Sequence, residues 1–536
     1  MDKKSSSINS FKTSIRFTQY SLFLILIIFT GLITRFYFFP FEVPITSDAL
    51  NYFWYSSDIY QIGKLPSDWS LGNNGWPILL STIFFVTDSK DILSLMETQK
   101  IFSVLISIST TIPVYFLCKK FVQKKFALIG ASIIAFDPRL MINSFLGITD
   151  PLFLLLTSTS LTLFLYSNKK NIYLCFVVAG LASLIRTEGM AIFFVLSILF
   201  FIKYRKENYK IILKYLLILG IFVLILLPLS AYRIEVTGND YLFQRGLHHM
   251  DQISSNEVFY DRVIEGLEIF SKYTIWVLIP NFIIFVPFGI FLIFRKLNVE
   301  KITIILSLII LSLPALYGYT LSALDTRYLY VLFPMFCVLT VLPIEKFSLK
   351  FSKQNLIIIG IIIAIFVSSI SVYDYLKIDY EHEKDAFKIM NDISGFADGI
   401  NELDNEVRYI PTVYTINQWP TTYKNLDFKT TVIKFEKAKS LEEFIEESKD
   451  KGLSHIVIDN KEEVSFDKEV SFDDMINDMN INKGSNIKPI IQEPIKEVPI
   501  KEIVIFTSAN RIDIESNRFN CSHRRTGFNR LATRWC

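Results

Sequence analysis

Short clusters of acidic and basic residues in this 536-residue chain stand where they could act on a substrate. Thr46-Ser47-Asp48-Ala49 follows the first long apolar run, with Tyr52 one helical turn beyond the carboxylate. Gly147-Ile148-Thr149-Asp150-Pro151 opens a second run, Arg186-Thr187-Glu188-Gly189 joins two more, and Asp325-Thr326-Arg327-Tyr328 precedes another. A carboxylate so placed can take the proton of an attacking hydroxyl. A guanidinium can grip a phosphate through two parallel N–H donors while a neighbouring carboxylate fixes its rotamer. Asp48 and Asp150 are therefore the candidates for acid–base work, and Arg186, Glu188 and Arg327 the candidates for a phosphate site. Tyr52, Tyr328, Arg245 and His248 are candidate contacts to donor or acceptor. Each has a plainer reading. Ser47 or Asp48 suits a helix N-cap, and Asp150 before Pro151 is an ordinary helix start. The two Arg–carboxylate pairs can neutralise each other where a helix leaves the bilayer. His248-His249 with Asp251 is a poor metal site, because adjacent histidines seldom face one ion and no third ligand is suitably spaced. A divalent ion is left open, and no motif demands a cofactor: there is no GxGxxG or P-loop.

Composition fixes the setting. Hydrophobic residues make up 51%, with 48 Phe and 25 Tyr, which is too apolar for a water-soluble chain of this size. Net charge is only +3 with no basic stripe, so nucleic acid is not a partner. Five cysteines without a CxxC exclude a disulfide framework and a zinc ribbon. Apolar runs able to cross a hydrocarbon layer of roughly 30 Å begin near residues 20, 99, 126, 150, 172, 189, 211, 273, 301, 328 and 355, which predicts about eleven spans. Trp76 to Val86, bounded by Pro77 and Asp88, reads as an interfacial or re-entrant helix. Basic residues are retained on the cytoplasmic side of short loops. The amino-terminal segment and alternate connections are rich in Lys and Arg, whereas loops 40–97 and 231–272 are acid-rich. The amino terminus is thus expected in the cytoplasm and everything after Tyr373 outside it.

The expected architecture is a polytopic α-helical membrane protein over residues 1–373 with a C-terminal extracytoplasmic α/β domain over 374–508. In that domain β-like runs occur at Val407–Tyr414, His455–Asp459 and Glu502–Phe506. A helix is expected between the capping box Ser440/Glu443 and Gly452. Up to residue 508 there are eleven Arg against thirty-eight Lys, whereas residues 509–536 hold six Arg and no Lys. That tail reads as disordered or foreign to the rest, and Cys521 and Cys536 are given no role.

Taken together these residues resemble the GT-C glycosyltransferases, nearest the protein O-mannosyltransferase and aminoarabinose-transferase branch. The resemblance runs from residue 20 to about 343. It rests on Ser47-Asp48 with a Tyr-rich amphipathic helix and a later Trp76-Pro77, on Thr149-Asp150-Pro151-Leu152-Phe153, on Leu184-Ile185-Arg186-Thr187-Glu188-Gly189, and on Arg327-Tyr328 with Pro334. It implies an inverting transfer of a sugar from a polyprenyl- or dolichyl-phosphate donor to a protein, lipid or glycan acceptor at the outer surface of the cell membrane. In that scheme Asp48 is general base or orients the acceptor, Asp150 assists, and Arg186 and Arg327 stabilise the departing lipid phosphate. Ala49 departs from the mannosyltransferase pattern, in which a second acid follows the first. The Trp-Trp-Asp signature of oligosaccharyltransferases is also missing from the outer domain, whose only Trp is Trp419. Two other classes fit the topology. A secondary transporter would show paired halves with helices broken at the midplane, and no repeat is evident. A non-enzymatic envelope assembly protein would not require this arrangement of acids and arginines.

Overall fold

In a computed structural model the described residues are 19–376, apart from 46–47, 67–70, 73, 90, 169–170, 206–209, 239–255, 296 and 322; beyond residue 376 they are mainly the backbones of five strands. The chain divides into two compact units, residues 1–41 with 51–377, and residues 42–50 with 378–536.

The first unit is helical. Its elements are α1 (Gln19–Tyr37), most of α2 (Asp48–Ile62), α3 (Gly75–Thr87), α4 (Ile92–Ser109), α5 (Thr111–Lys119), α6 (Lys124–Phe136), α7 (Pro138–Phe145), α8 (Asp150–Tyr166), α9 (Tyr173–Ile185) and α10 (Gly189–Tyr204). They continue with α11 (Lys210–Thr237), α12 (Asn256–Leu278), α13 (Phe285–Phe294), α14 (Val299–Thr320), a 3-10 turn (Thr326–Leu332), α15 (Phe333–Ser348) and α16 (Gln354–Leu376). The apolar runs expected from the sequence fall on helices, except that the one from residue 273 is broken. Among the described residues six stretches are long and apolar enough to cross a membrane, α4 and α5 counting as one, and the bent pair α6–α7 makes a seventh. The helices α8, α9 and α10 are shorter, at 17, 13 and 16 residues. Their apolar runs are cut by Asp150, Arg186 and Glu188, so the polar residues that define the site also limit helix length. The run expected from residue 273 is divided between α12 and α13, with Pro280, which has no N–H to donate, in the break.

The core sits around α6, whose residues Phe126 to Phe136 are all buried, as expected of a helix apolar on every side. Small residues allow its close contacts. A Cβ on Gly130 would lie 2.5 Å from Cys118 Sγ in α5, and one on Gly31 in α1 would lie 3.2 Å from Ala135 Cβ. At Asp137 the chain bends by 42° between α6 and α7. Pro138 opens α7, and buried Asp137 caps it, accepting from the backbone N–H of Arg139 at 3.0 Å and from Asn281 Nδ2 at 3.1 Å. Arg139 donates to Trp276 O at 2.7 Å and to Ile279 O, which ties the bend to the end of α12. Asp137 and Arg139 thus secure the backbone where helices break.

In the second unit the described strands form one sheet in the order β2-β1-β3-β5-β4, where β1 is Glu406–Ile410, β2 Thr430–Val432, β3 Leu453–Asp459, β4 Ile490–Ile491 and β5 Glu502–Phe506. All pairs are parallel except β4 with β5. The three runs read from the sequence correspond to β1, β3 and β5. The helix expected over 440–452 lies outside the described residues, as does the tail.

Gly289 marks the closest helix approach: a Cβ there would stand 2.0 Å from Leu339 O of α15, with no side chain to yield. Gly289→Val is expected to lower stability by about 1–3 kcal/mol, read as a fall in Tm in detergent. An unchanged Tm would contradict this packing.

Candidate active site

One end of the helical unit gathers the N-termini of α8 and α10, the C-termini of α9 and α14, and the 3-10 turn. Asp150 is the first residue of α8, but it does not serve as the cap, which is Thr149. Its carboxylate turns instead to Arg186 in the α9–α10 connection. Arg186 Nη1 donates to Asp150 Oδ1 at 2.6 Å and Nη2 to Glu188 Oε1 at 2.9 Å, while Nε points to Glu188 Oε2 at 3.4 Å. One guanidinium fork is therefore shared between two carboxylates from different elements. The side chains of Asp150 and Arg186 are only 11% and 15% exposed. Asp150 and Glu188 also stand at helix starts, where backbone N–H groups carry partial positive charge.

The second pair is local. Asp325 caps the 3-10 turn, accepting from Arg327 N at 2.8 Å, and its other oxygen accepts from Arg327 Nε at 2.5 Å. The charge of Arg327 reaches Asp150. The ring of Tyr328 lies 5.9 Å from the Arg186 guanidinium on one side and that of Phe153 5.9 Å away on another, a distance at which cation and ring attract.

These groups line one cleft. Asp150, Arg186, Glu188, Arg327 and Tyr328 form its polar part, while Leu140, Leu154, Leu311, Ala315 and Val331 give it an apolar wall. Burial alone would disfavour the ionised form of Glu188, but the charge and hydrogen bonds of Arg186 prevail and hold its carboxyl below the ordinary range. For Arg186 burial again opposes the charge, and Asp150 with Glu188 more than offsets it, so the guanidinium stays protonated.

Of the residues chosen from the sequence, Asp150, Arg186, Glu188, Arg327 and Tyr328 meet in this cleft. Tyr52 is buried and close enough to contribute to the field at Arg186. Asp48 is the exposed first residue of α2, one turn before Tyr52 on the same helix, and falls in the second unit. Arg245 and His248 lie outside the described residues. Among the described residues no three His, Cys, Asp or Glu come together as metal ligands. Sequence reasoning passed over Ser107, Asn143 and Tyr330, which also line the cleft. A lone amide among the apolar residues of α7 was the only sign at Asn143.

No protein-family model matches the chain, and comparison with curated proteins gives no match. Solved structures give partial likenesses. The oligosaccharyltransferase of Archaeoglobus fulgidus, in complex with Zn and sulfate, is similar at 14% identity and a TM-score of 0.46, over 65% of this chain and 52% of that one. ArnT from Cupriavidus metallidurans, bound to undecaprenyl phosphate, is similar at 11% identity and a TM-score of 0.46, over 71% and 70%. The chain spans about half the length of the archaeal enzyme.

The depressed Glu188 carboxyl makes a pH prediction. A group whose pKa falls on folding contributes stability above its unfolded value, near 4.3, and loses it as pH drops through the folded value. Stability is therefore expected to decline below about pH 4, and Glu188→Gln to flatten that decline. Denaturation midpoints from pH 3 to pH 7 test this, and parallel curves for the two proteins would refute it. Arg186→Ala leaves the buried Asp150 and the half-buried Glu188 without their cation and is expected to cost about 3–5 kcal/mol, more than Arg327→Ala, which strips a single half-buried carboxylate of this partner. Equal losses in a thermal melt would contradict the difference.

Proposed function

We propose that this protein is a membrane glycosyltransferase that takes a sugar from a polyprenyl- or dolichyl-phosphate donor and passes it to a protein, lipid or glycan acceptor. The observation that carries the reading is the meeting of two guanidiniums from separate connections, each rotamer-fixed by a carboxylate, in a partly buried cleft with an apolar wall. A phosphodiester whose sugar is leaving gains negative charge on the phosphate, and fixed cations in a water-poor cleft stabilise that charge best. The apolar wall suits the start of a lipid chain.

The two arginines have different parts in this scheme. Arg186 already spends Nη1 on Asp150, and Nη2 and Nε on Glu188, so its main work is to hold the carboxylates in place. Arg327, which Asp325 holds at Nε and whose charge reaches Asp150, is the proposed phosphate cation. The acceptor hydroxyl attacks the anomeric carbon from the face opposite the phosphate. The new carbon–oxygen bond forms as the bond to the phosphate oxygen breaks, configuration inverts, and the lipid phosphate departs with the bonding pair. The hydroxyl proton passes to a carboxylate, for which the sequence resemblance favours Asp48, with Asp150 assisting. Tyr52 and Tyr328 are proposed sugar or acceptor contacts, and Arg245 and His248 contacts from the 231–272 loop. By the alternation of basic and acidic loops, the transfer takes place outside the cytoplasm, with the amino terminus inside.

Membranes carrying the protein, incubated with a panel of labelled polyprenyl-phosphate sugars, are expected to yield a labelled product from at least one donor. Asp48→Asn and Asp150→Asn should each abolish that transfer at normal expression. Arg327→Ala should lower kcat/KM for the donor by about 10²–10³-fold. Full activity in Asp48→Asn would remove its assigned role, and an unchanged donor dependence in Arg327→Ala would remove the phosphate contact.

A further inference from the structure

Asp150 and Arg186 stand at the open end of the helix pair α8–α9, whose closed end is the connection 167–172. At 1.5 Å rise per residue that connection is roughly 25 Å away along α8, so it cannot by itself fix the spacing of the two side chains. The start of α3 supplies a second constraint. Trp76 is fully buried, and its Nε1 donates to Gly147 O at 3.1 Å. Gln99 of α4, also fully buried, donates to the same carbonyl at 2.7 Å. Two donors on one carbonyl engage both of its lone pairs. Gly147 has φ +72°, a conformation costly for any other residue, and lies three residues before Asp150. Gly75, which precedes Trp76, abuts the other helix of the pair: a Cβ there would stand 2.6 Å from Leu184 O, two residues before Arg186. The Trp76 ring lies parallel to that of Phe102, with centroids 5.9 Å apart, which holds the indole in place.

We propose that Gly75 and Trp76, with Gln99, form a clamp that sets the distance between Asp150 and Arg186. These are positioning residues. They act on the ion pair through the backbone on either side of it, Trp76 and Gln99 on the segment leading to Asp150 and Gly75 on the segment leading to Arg186. Ordinary core packing would need the bulk of the indole but not its N–H, and would not require adjacent residues to face both segments. The geometric claim stands on these contacts, while its effect on catalysis rests on the proposed glycosyl transfer.

The test uses the purified full chain in detergent and two readouts. In the first, the rate at which phenylglyoxal modifies Arg186 is followed by peptide mass spectrometry, with Arg139, which is tied to Trp276 O and Ile279 O, as internal reference. Trp76→Phe keeps the ring and removes the N–H, and is expected to speed modification of Arg186 several-fold while Arg139 keeps its wild-type rate. Gln99→Met gives the same reading should Trp76→Phe fail to fold. Modification of Arg186 at the wild-type rate, or a parallel rise at Arg139, overturns the clamp. In the second readout, Trp76→Phe lowers kcat for sugar transfer by about tenfold to a hundredfold with donor KM unchanged, because the reacting geometry is lost while the phosphate cation Arg327 remains. A fall in binding alone overturns it. If Arg186 becomes reactive in the variants but the wild type transfers no sugar from any lipid phosphate, the clamp stands and the glycosyltransferase reading falls.

Discussion

The cleft depends on one guanidinium held between two carboxylates with little contact with water. Desolvating three charges is unfavourable, and the arrangement persists because Arg186 meets Asp150 and Glu188 in hydrogen-bond geometry and because both acids sit at helix N-termini. That requirement joins the start of α8 to the α9–α10 connection.

The balance of charge around this triad decides what the cleft can bind. Asp150, Glu188 and Asp325 face Arg186 and Arg327, so the described side chains alone leave one negative charge in excess, and two helix N-termini offset part of it. A phosphate is accepted where a cation has capacity beyond its own carboxylate. Arg186 is spread over two acids and is a structural cation, whereas Asp325 holds Arg327 at Nε. The same comparison separates Asp137 and Arg139 from the site. Both are buried and charged, but their hydrogen bonds go to backbone groups and Asn281, which makes them fastenings of a bent helix.

The apolar runs, the short helix from Trp76 to Val86 and three of the strands were legible in the sequence because each rests on local periodicity or on a local breaker. Arg327 with Asp325 was legible too, being a contact two residues long. Arg186 was read as a partner of Glu188, but its stronger bond to Asp150 spans 36 positions and nothing local announces it. For the same reason the sequence suggested an N-cap at Asp150, where the tertiary partner prevails over the cap. For α8 to α10 the sequence showed where each apolar run begins, and the helices that form there are 17, 13 and 16 residues long. The contacts of Trp76 and Gln99 with Gly147 had no sequence sign beyond a glycine and a buried amide.

The account turns on whether the polar mouth of the cleft takes a phosphate attached to a lipid. Thermal unfolding of the purified protein with a short polyprenyl phosphate, set beside the matching polyprenol, tests this most directly, because a ligand that binds only the folded state raises Tm. The account predicts that the phosphate raises Tm, that the alcohol does not, and that Arg327→Ala removes the difference. Equal shifts from phosphate and alcohol, or a full phosphate effect in Arg327→Ala, would contradict it.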